Sequence, residues 1–319
     1  MKYRIILLIL LILTLIPSVL YMTVGVNFSS AKMIRYSMSI RVPKLIVMIL
    51  TSFAIGGASI IFQTIINNRI VTPCLLGMNS LYTLIHTAIV FIFGSASIVA
   101  VNANVAFAVD VIIMAITATI IYSWLFRKTG HNILYVLLIG TVLTSFFSSI
   151  QNTMTRVMDP NEYDGLLATL VASFNNINTE IIVFSTILFL ALIVVLRKDI
   201  ALLDVISLGK EQSINLGVDY DRTINHLLLG VTVFIAIATA MVGPISFLGL
   251  IIANIARQMT RTFKHSVLIP ASALVGTTVL ISGQLIVERV FSYAVPISVF
   301  ITVGGGIYFL YLLLTQRSV

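Results

Sequence analysis

Asp110 is the one acid placed well inside an apolar run of this 319-residue chain. A carboxylate held in lipid is expensive, so such a residue usually has a task or a partner. Aspartyl-protease chemistry needs a second acid beside it, and a proton relay needs more than one group. Neither accompanies Asp110, so a structural or interface role is expected ahead of a transport role. The four histidines, His86, His131, His226 and His265, lie far apart without metal-ligand spacing and are expected in loops or in packing. Cys74 is the single cysteine, which excludes an internal disulfide and a cysteine metal cluster. No G-x-x-x-x-G-K-[ST] phosphate loop is present, so ATP is not bound here through a Walker fold. H-E-x-x-H and G-x-S-x-G are also absent. The expectation is a chain that carries out no covalent chemistry and holds no metal or other cofactor. Amides supply the remaining polar candidates: Gln63, Asn67 and Asn68 stand together where an apolar run ends, placed to line a path or to cap a helix.

The elements that position these residues follow from composition. Hydrophobic residues make up 59% of the chain and charged residues 9%, with a mean hydropathy of +1.10. A soluble domain carries roughly 25% charge, so lipid is the expected solvent. A hydrocarbon core of about 30 Å needs about 20 helical residues. Charge-free windows at Ile5–Ala31, Leu45–Ile66, Ile133–Thr155, Ser266–Val287 and Val290–Gln316 each fit one span, and Ile181–Leu196 is a shorter one. Ile70–Val109 is too long for one helix; a helix ending near Gly94 is expected, then another running through Asp110 towards Phe126. Thr223–Ala256 is too long as well, and Gly243-Pro244 is its natural break. These segments predict about ten transmembrane helices in a single all-α membrane domain over residues 1–319. Lys2 and Arg4 before Ile5–Ile16 look like a signal peptide, but the apolar run continues to Val26 without an A-x-A site, so a retained first helix is expected.

A net charge of +8 raises the question of nucleic acid. The basic residues are scattered through short loops with no dense patch, which speaks against it. With ten spans and a cytoplasmic N-terminus, thirteen Lys and Arg fall inside, among them Arg69, Arg257, Lys264 and Arg317, against six outside. The six are Lys32, Arg35, Arg41, Lys44, Arg156 and Arg289. Two connections are polar: the acidic, turn-prone Asp159–Asp164 outside, and Arg197–Arg222 inside, long enough for two short helices.

Three segments resemble the permease subunits of iron-siderophore and vitamin B12 ABC importers, the FecCD family. The first is Arg41-Val42-Pro43-Lys44 followed by Gly56-Gly57-Ala58, Gln63, Asn68, Pro73 and Leu75-Leu76-Gly77. The second is Ser207-Leu208-Gly209 through Leu216-Gly217-Val218 to Arg222. The third is Gly243-Pro244 through Phe247-Leu248-Gly249-Leu250, then Arg257, Pro270, Gly276, Pro296 and the run from Gly304 to Leu313. The order is right across most of the chain. Ala253-Asn254 before Arg257, Asn68-Arg69, Leu81-Tyr82 and Gln284 depart from the commoner pattern and resemble a branch handling catecholate-type siderophores.

The resemblance implies a type II importer fold of ten helices and no ATPase activity in this chain. It implies three protein partners in the cytoplasmic membrane: an ABC ATPase subunit, an extracytoplasmic substrate-binding (lipo)protein and a second, identical or homologous permease. The loop at about 198–222 would be the coupling region, with Leu208, Gly209, Glu211, Leu216, Gly217, Val218 and Arg222 facing the ATPase. Arg41 and Lys44, with Arg289 as a second docking arginine, would meet acids on the binding protein. Gln63, Asn67 and Asn68 would be pathway candidates. The run Gly56-Gly57-Ala58 lets helix backbones approach closely, as packing in lipid requires, and simple packing and a pore-lining place are equal readings of it. An ion-coupled secondary transporter is the alternative, for which only Asp110 qualifies as a midplane site; an intramembrane enzyme lacks a catalytic pair.

Overall fold

Capping residues set the limits of the helices. The computed structural model describes residues 2–94, 97, 102–129, 133–174, 177 and 179–315, and these are helical with short connections. Helix α1 spans Lys2–Thr23. Helix α2 spans Ala31–Ile66, entered through Ser30, whose side chain accepts from the Lys32 amide, and left through Asn67 in the left-handed conformation. A 3-10 turn, Pro73–Leu76, leads into α3, Met78–Phe93, which stops at Gly94. Then follow α4 (Ala103–Thr129), α5 (Ile133–Val157), α6 (Pro160–Leu170) and α7 (Glu180–Ala201). The short α8 (Leu203–Ile206) and α9 (Lys210–Asn215) precede α10 (Tyr220–Val242), α11 (Leu248–Thr260), α12 (His265–Arg289) and α13 (Ile297–Thr315).

Eight of these helices, α1, α2, α4, α5, α7, α10, α12 and α13, are long and apolar enough to cross a membrane. The remaining two of the ten expected segments are α3 and α11. The 13 residues of α11 reach only about 20 Å at 1.5 Å per residue. The breaks at Gly94 and Gly243 fall where they were predicted.

Two expectations are corrected. Helix α2 begins at Ala31 rather than near Leu45. A charge-free window measures lipid contact, whereas a helix continues past the bilayer with Lys32, Arg35 and Arg41 on its polar extension, and Pro43 is absorbed inside it. The acidic segment Asp159–Asp164 is mostly helix, not turn. Asp159 accepts from the Asn161 amide as an N-cap and Pro160 occupies the first helical position, the arrangement that starts a helix. His131 and Arg317 lie outside the described residues.

Helices α2, α10 and α12 supply most of the buried interior, while α5 and α13 are largely uncovered. The α2–α12 pair is antiparallel along its length. Thr64 meets His265 at one end, Gly56 lies against Ser272 and Ala273 midway, and Gly276 lies against Ser52. A Cβ on Gly56 would stand 3.3 Å from the Ala273 amide nitrogen, so glycine is what admits this approach. Gly249 of α11 likewise presses on Ser59 of α2, where any side chain would collide.

Candidate functional site

From Arg41 to Gln63, α2 runs about 33 Å at 1.5 Å per residue. Its polar ends are therefore separate places, and the candidate residues fall at one or the other.

At the Arg41 end, three helices converge. The α1 terminus exposes backbone carbonyls that no further turn satisfies. Arg41 of α2 donates through Nη1 to the Tyr21 carbonyl and, at 3.0 Å, to the Val24 carbonyl. Arg289 of α12 donates to the same Val24 carbonyl. Two guanidiniums thus cap the negative end of α1, a favourable place for cations. Arg41 also lies 5.5 Å from the centre of the Tyr21 ring, and Tyr21 donates to Glu288 at 3.2 Å. Gln284 donates to Glu288 from one turn back, at 3.1 Å. Lys44 is buried, its Nζ 5.7 Å from the Tyr293 ring centre. Ser292 and Tyr293 both take positive φ, 47° and 64°. Backbone of this kind in residues with a Cβ stores strain and clusters at working sites.

The three predicted docking cations therefore come together, but not as a free rim. Arg289 is exposed, Arg41 is half-buried and Lys44 is buried beneath them. Glu288, Tyr21 and Tyr293 belong to the same cluster and escaped the sequence reading, because their partners come from other helices.

At the opposite end, Gln63, Asn67 and Asn68 close α2. Asn67 takes φ 53° and ψ 40°, and its amide turns back to the Gln63 and Thr64 carbonyls. The Asn68 side chain accepts from the Ile70 amide at 2.8 Å. Gln63, buried, donates to the Arg69 carbonyl at 2.8 Å and accepts from Arg257 Nε at 3.3 Å. Asn254 donates to that same Arg69 carbonyl at 3.0 Å. The side chains of Gln63 and Asn68 thus bond the 69–70 backbone that follows the helix, and Asn67 closes the helix through its own backbone amide. Only Asn67 remains exposed.

Beside this cap lies the two-helix loop. Gly209 (φ 99°, ψ 168°) separates α8 from α9, and Gly217 (φ 85°) follows α9. Both φ values are ones that residues with a Cβ rarely adopt, and the Gly209 conformation is almost glycine-specific. Ser213 donates to the Val205 and Gly209 carbonyls, folding α9 onto α8. Leu203 and Ile206 are buried and seat the loop, whereas Leu208 (55%), Ile214 (51%) and Leu216 (63%) are exposed. Glu211 and Arg222 are exposed beside them, Val218 is half-buried, and Asp219 caps α10 by accepting from the Arg222 amide. Lys210 pairs with Asp221 at 3.1 Å across the loop.

The histidines were expected as loop or packing residues, and each of the three described ones faces an aspartate. His86 Nδ1 is 2.8 Å from Asp110, His265 Nδ1 is 2.5 Å from Asp204, and His226 Nδ1 is 3.5 Å from Asp199. Asp110 also lies 3.5 Å from the Tyr82 hydroxyl, so the acid of α4 is held by two residues of α3. Among the described residues no three His, Cys, Asp or Glu gather as a metal site would require.

Residues 5–315 match the family model described as the FecCD transport family. The chain is 43% identical over 283 residues to the petrobactin import system permease protein YclO of Bacillus subtilis, covering 89% of this chain and 90% of that one. It is 31% identical to the petrobactin import system permease protein FatC of Bacillus anthracis, covering 87% and 78%. A solved structure described as an inward-facing conformation of a metal-chelate type ABC transporter superposes with a TM-score of 0.82 at 23% identity. That match covers 98% of this chain and 99% of the other, and fixes the shared fold. The glycine-hinged loop, the basic cluster at the far end and the match over nearly the whole length lead to one statement: this chain belongs to the FecCD transport family.

Proposed function

We propose that this chain is the permease subunit of an ABC importer that brings a ferric siderophore across the cytoplasmic membrane. Catecholate-type siderophores are the substrate class. The two relatives above are named for petrobactin import, which fits that class, and a third, 27% identical, for iron(3+)-hydroxamate import. A second permease, identical or homologous, completes the pathway. Hydrolysis of ATP belongs to a separate subunit, and an extracytoplasmic binding protein delivers the ligand. The N-terminus is cytoplasmic, which places Arg41, Lys44 and Arg289 outside and the 198–222 loop inside.

One observation carries the assignment of the ATPase contact. Leu208, Ile214 and Leu216 are uncovered on a loop that its own glycines and Ser213 hold in shape. Such a preformed pair of turns suits insertion into a groove of a partner. At the opposite end, exposed Arg289 and half-buried Arg41 offer positive charge to an acidic surface, which guides docking more than it adds affinity. Nucleotide binding by the partner then shifts the permease pair between outward- and inward-open states. Of the pathway candidates, Asn67 is the one whose side chain remains exposed for that role.

The deciding experiment is purification from membranes expressing the chain with the ATPase encoded nearby. The ATPase should co-purify with the parent and be lost from Leu208→Asp/Leu216→Asp. Retention of the ATPase by that double variant, with normal uptake, sinks the contact.

A further inference from the structure

From sequence His265 is expected in a loop or in packing, and the proposed ATPase contact does not use it. Its surroundings assign it more. Among the described residues it is a buried side chain with both ring nitrogens engaged on different elements. Nδ1 meets the carboxylate of Asp204 at 2.5 Å, and the His265 backbone amide donates to the same oxygen at 2.9 Å. Nε2 meets Thr64 Oγ1 at 2.7 Å, and with Nδ1–H given to Asp204 the neutral ring accepts the Thr64 hydroxyl proton there; the Ile60 carbonyl lies 2.8 Å from the same hydroxyl oxygen.

Three elements are joined by this one ring. Asp204 belongs to α8, which is clasped to α9 through Ser213 and the Val205 carbonyl. His265 begins α12, and Thr64 stands in the last turn of α2. Those two helices are antiparallel, and about 33 Å away Arg41 of α2 and Arg289 of α12 meet on the Val24 carbonyl. A displacement of the exposed loop is thus communicated by directional bonds to the two helices that reach the opposite face. Apolar contacts alone tolerate sliding; a carboxylate held by two N–H groups does not.

We propose that Asp204, His265 and Thr64 form the link that transmits movement of the 198–222 loop into α2 and α12, His265 acting as a positioning residue. The proposal rests on the importer reading above and adds to it a route. Leu208, Ile214 and Leu216 grip the partner; the Asp204–His265–Thr64 link converts that grip into helix movement.

The test uses the full complex of permease pair, ATPase and binding protein in liposomes, with ferric petrobactin as the transported probe. The quantity measured is probe taken up per ATP hydrolysed. His265→Ala should keep the ATPase subunit bound and hydrolysis within about twofold of the parent, while uptake per ATP falls about tenfold, the scale of an ordinary coupling free energy. Thr64→Val should lower the same ratio about threefold, and Thr64→Ser should restore it, a rescue that simple packing does not explain. If His265→Ala fails to assemble in the membrane, the Thr64→Val and Thr64→Ser pair decides alone. A ratio within about twofold of the parent in the variants overturns the link. So does loss of the ATPase subunit from His265→Ala, which would make His265 part of the contact itself. A parent that binds no ATPase or carries no probe overturns the importer reading instead, and the link with it.

Discussion

The two ends of α2 hold polar residues in opposite ways. At the Arg41 end, positive charge is turned inward: Arg41 and Arg289 spend donors on the carbonyls of α1, and Lys44 sits buried beside Tyr293. At the His265 end, the polar groups are tied to one another and the apolar side chains of Leu208, Ile214 and Leu216 are turned outward on and around α9. The first end is anchored and exposes charge only at its edge. The second is hinged on Gly209 and Gly217 and exposes leucines. A surface that receives a soluble partner by charge needs fast, reversible encounter, whereas one that must be pushed and pulled needs a dry, firm grip.

Perturbing the middle of the bundle gives the largest effect and should not distinguish the ends. His86→Ala leaves Asp110 buried with, among the described residues, the Tyr82 hydroxyl as its remaining side-chain hydrogen-bond partner. Removing one partner of a buried pair costs about 3–5 kcal/mol. Thermal unfolding in detergent should fall accordingly, and binding at both ends should weaken together. Parent-like melting would show that the pair does not brace α3 against α4.

Next comes the hinge. Gly209→Ala forces a Cβ into a glycine-only conformation, worth about 1–3 kcal/mol of strain. Co-purification of the ATPase should drop while association with the binding protein stays at the parent level. If both fall equally, the ends are not independent.

A smaller effect separates charge from capping at the far end. Arg289→Glu should slow association with the binding protein several-fold at low salt, and the difference should fade by about 1 M salt, where the Debye length is about 3 Å. Arg41→Gln should instead lower stability by about 1.5–3 kcal/mol, the scale of a hydrogen bond from a charged group. A salt-independent rate for both arginines breaks the distinction between anchored and exposed charge.

The smallest effect is one of pH. Burial alone would raise the Asp204 carboxyl, but the backbone and ring N–H groups of His265, with Lys264 nearby, outweigh it and hold the carboxyl below the usual carboxylate range. A depressed acid stabilises the fold above its unfolded pKa and stops doing so as pH falls through its folded value. The stability gap between the parent and Asp204→Asn should therefore be full at pH 5 and close below about pH 4. A gap unchanged at pH 3 would mean that Asp204 contributes through shape and not through charge.

Much of the fold is legible from sequence because lipid leaves few ways to satisfy a backbone. Gly94 and Gly243 end helices where the apolar runs become too long, and the stretch Arg197–Arg222, expected to have room for two short helices, holds α8 and α9 with Gly209 between them. The upper part of α2 is not legible, since charge in Lys32–Lys44 looks like a loop but costs a helix nothing once it leaves the bilayer. The site is legible only where residues sit close in the chain. His265 and Asp204 are separated by 60 intervening positions, and His86 and Asp110 are on different helices, so their pairing is a product of packing and leaves no spacing to read. Arg41 and Arg289 are both identifiable as basic residues near helix ends, but that they share the Val24 carbonyl is visible only in three dimensions.

That shared carbonyl bears on biosynthesis. Helix α1 is fastened at its far end by a guanidinium that is made 265 residues after Val24. Until α12 is inserted, the end of α1 has Arg41 but not Arg289 on its carbonyls, and the Tyr21 hydroxyl has no Glu288 to accept its hydrogen bond. The chain is closed late, by its penultimate long helix returning to its first. Nascent chains truncated before residue 289 should therefore leave α1 free to be cross-linked to lipid or to insertion machinery, and full-length chains should not.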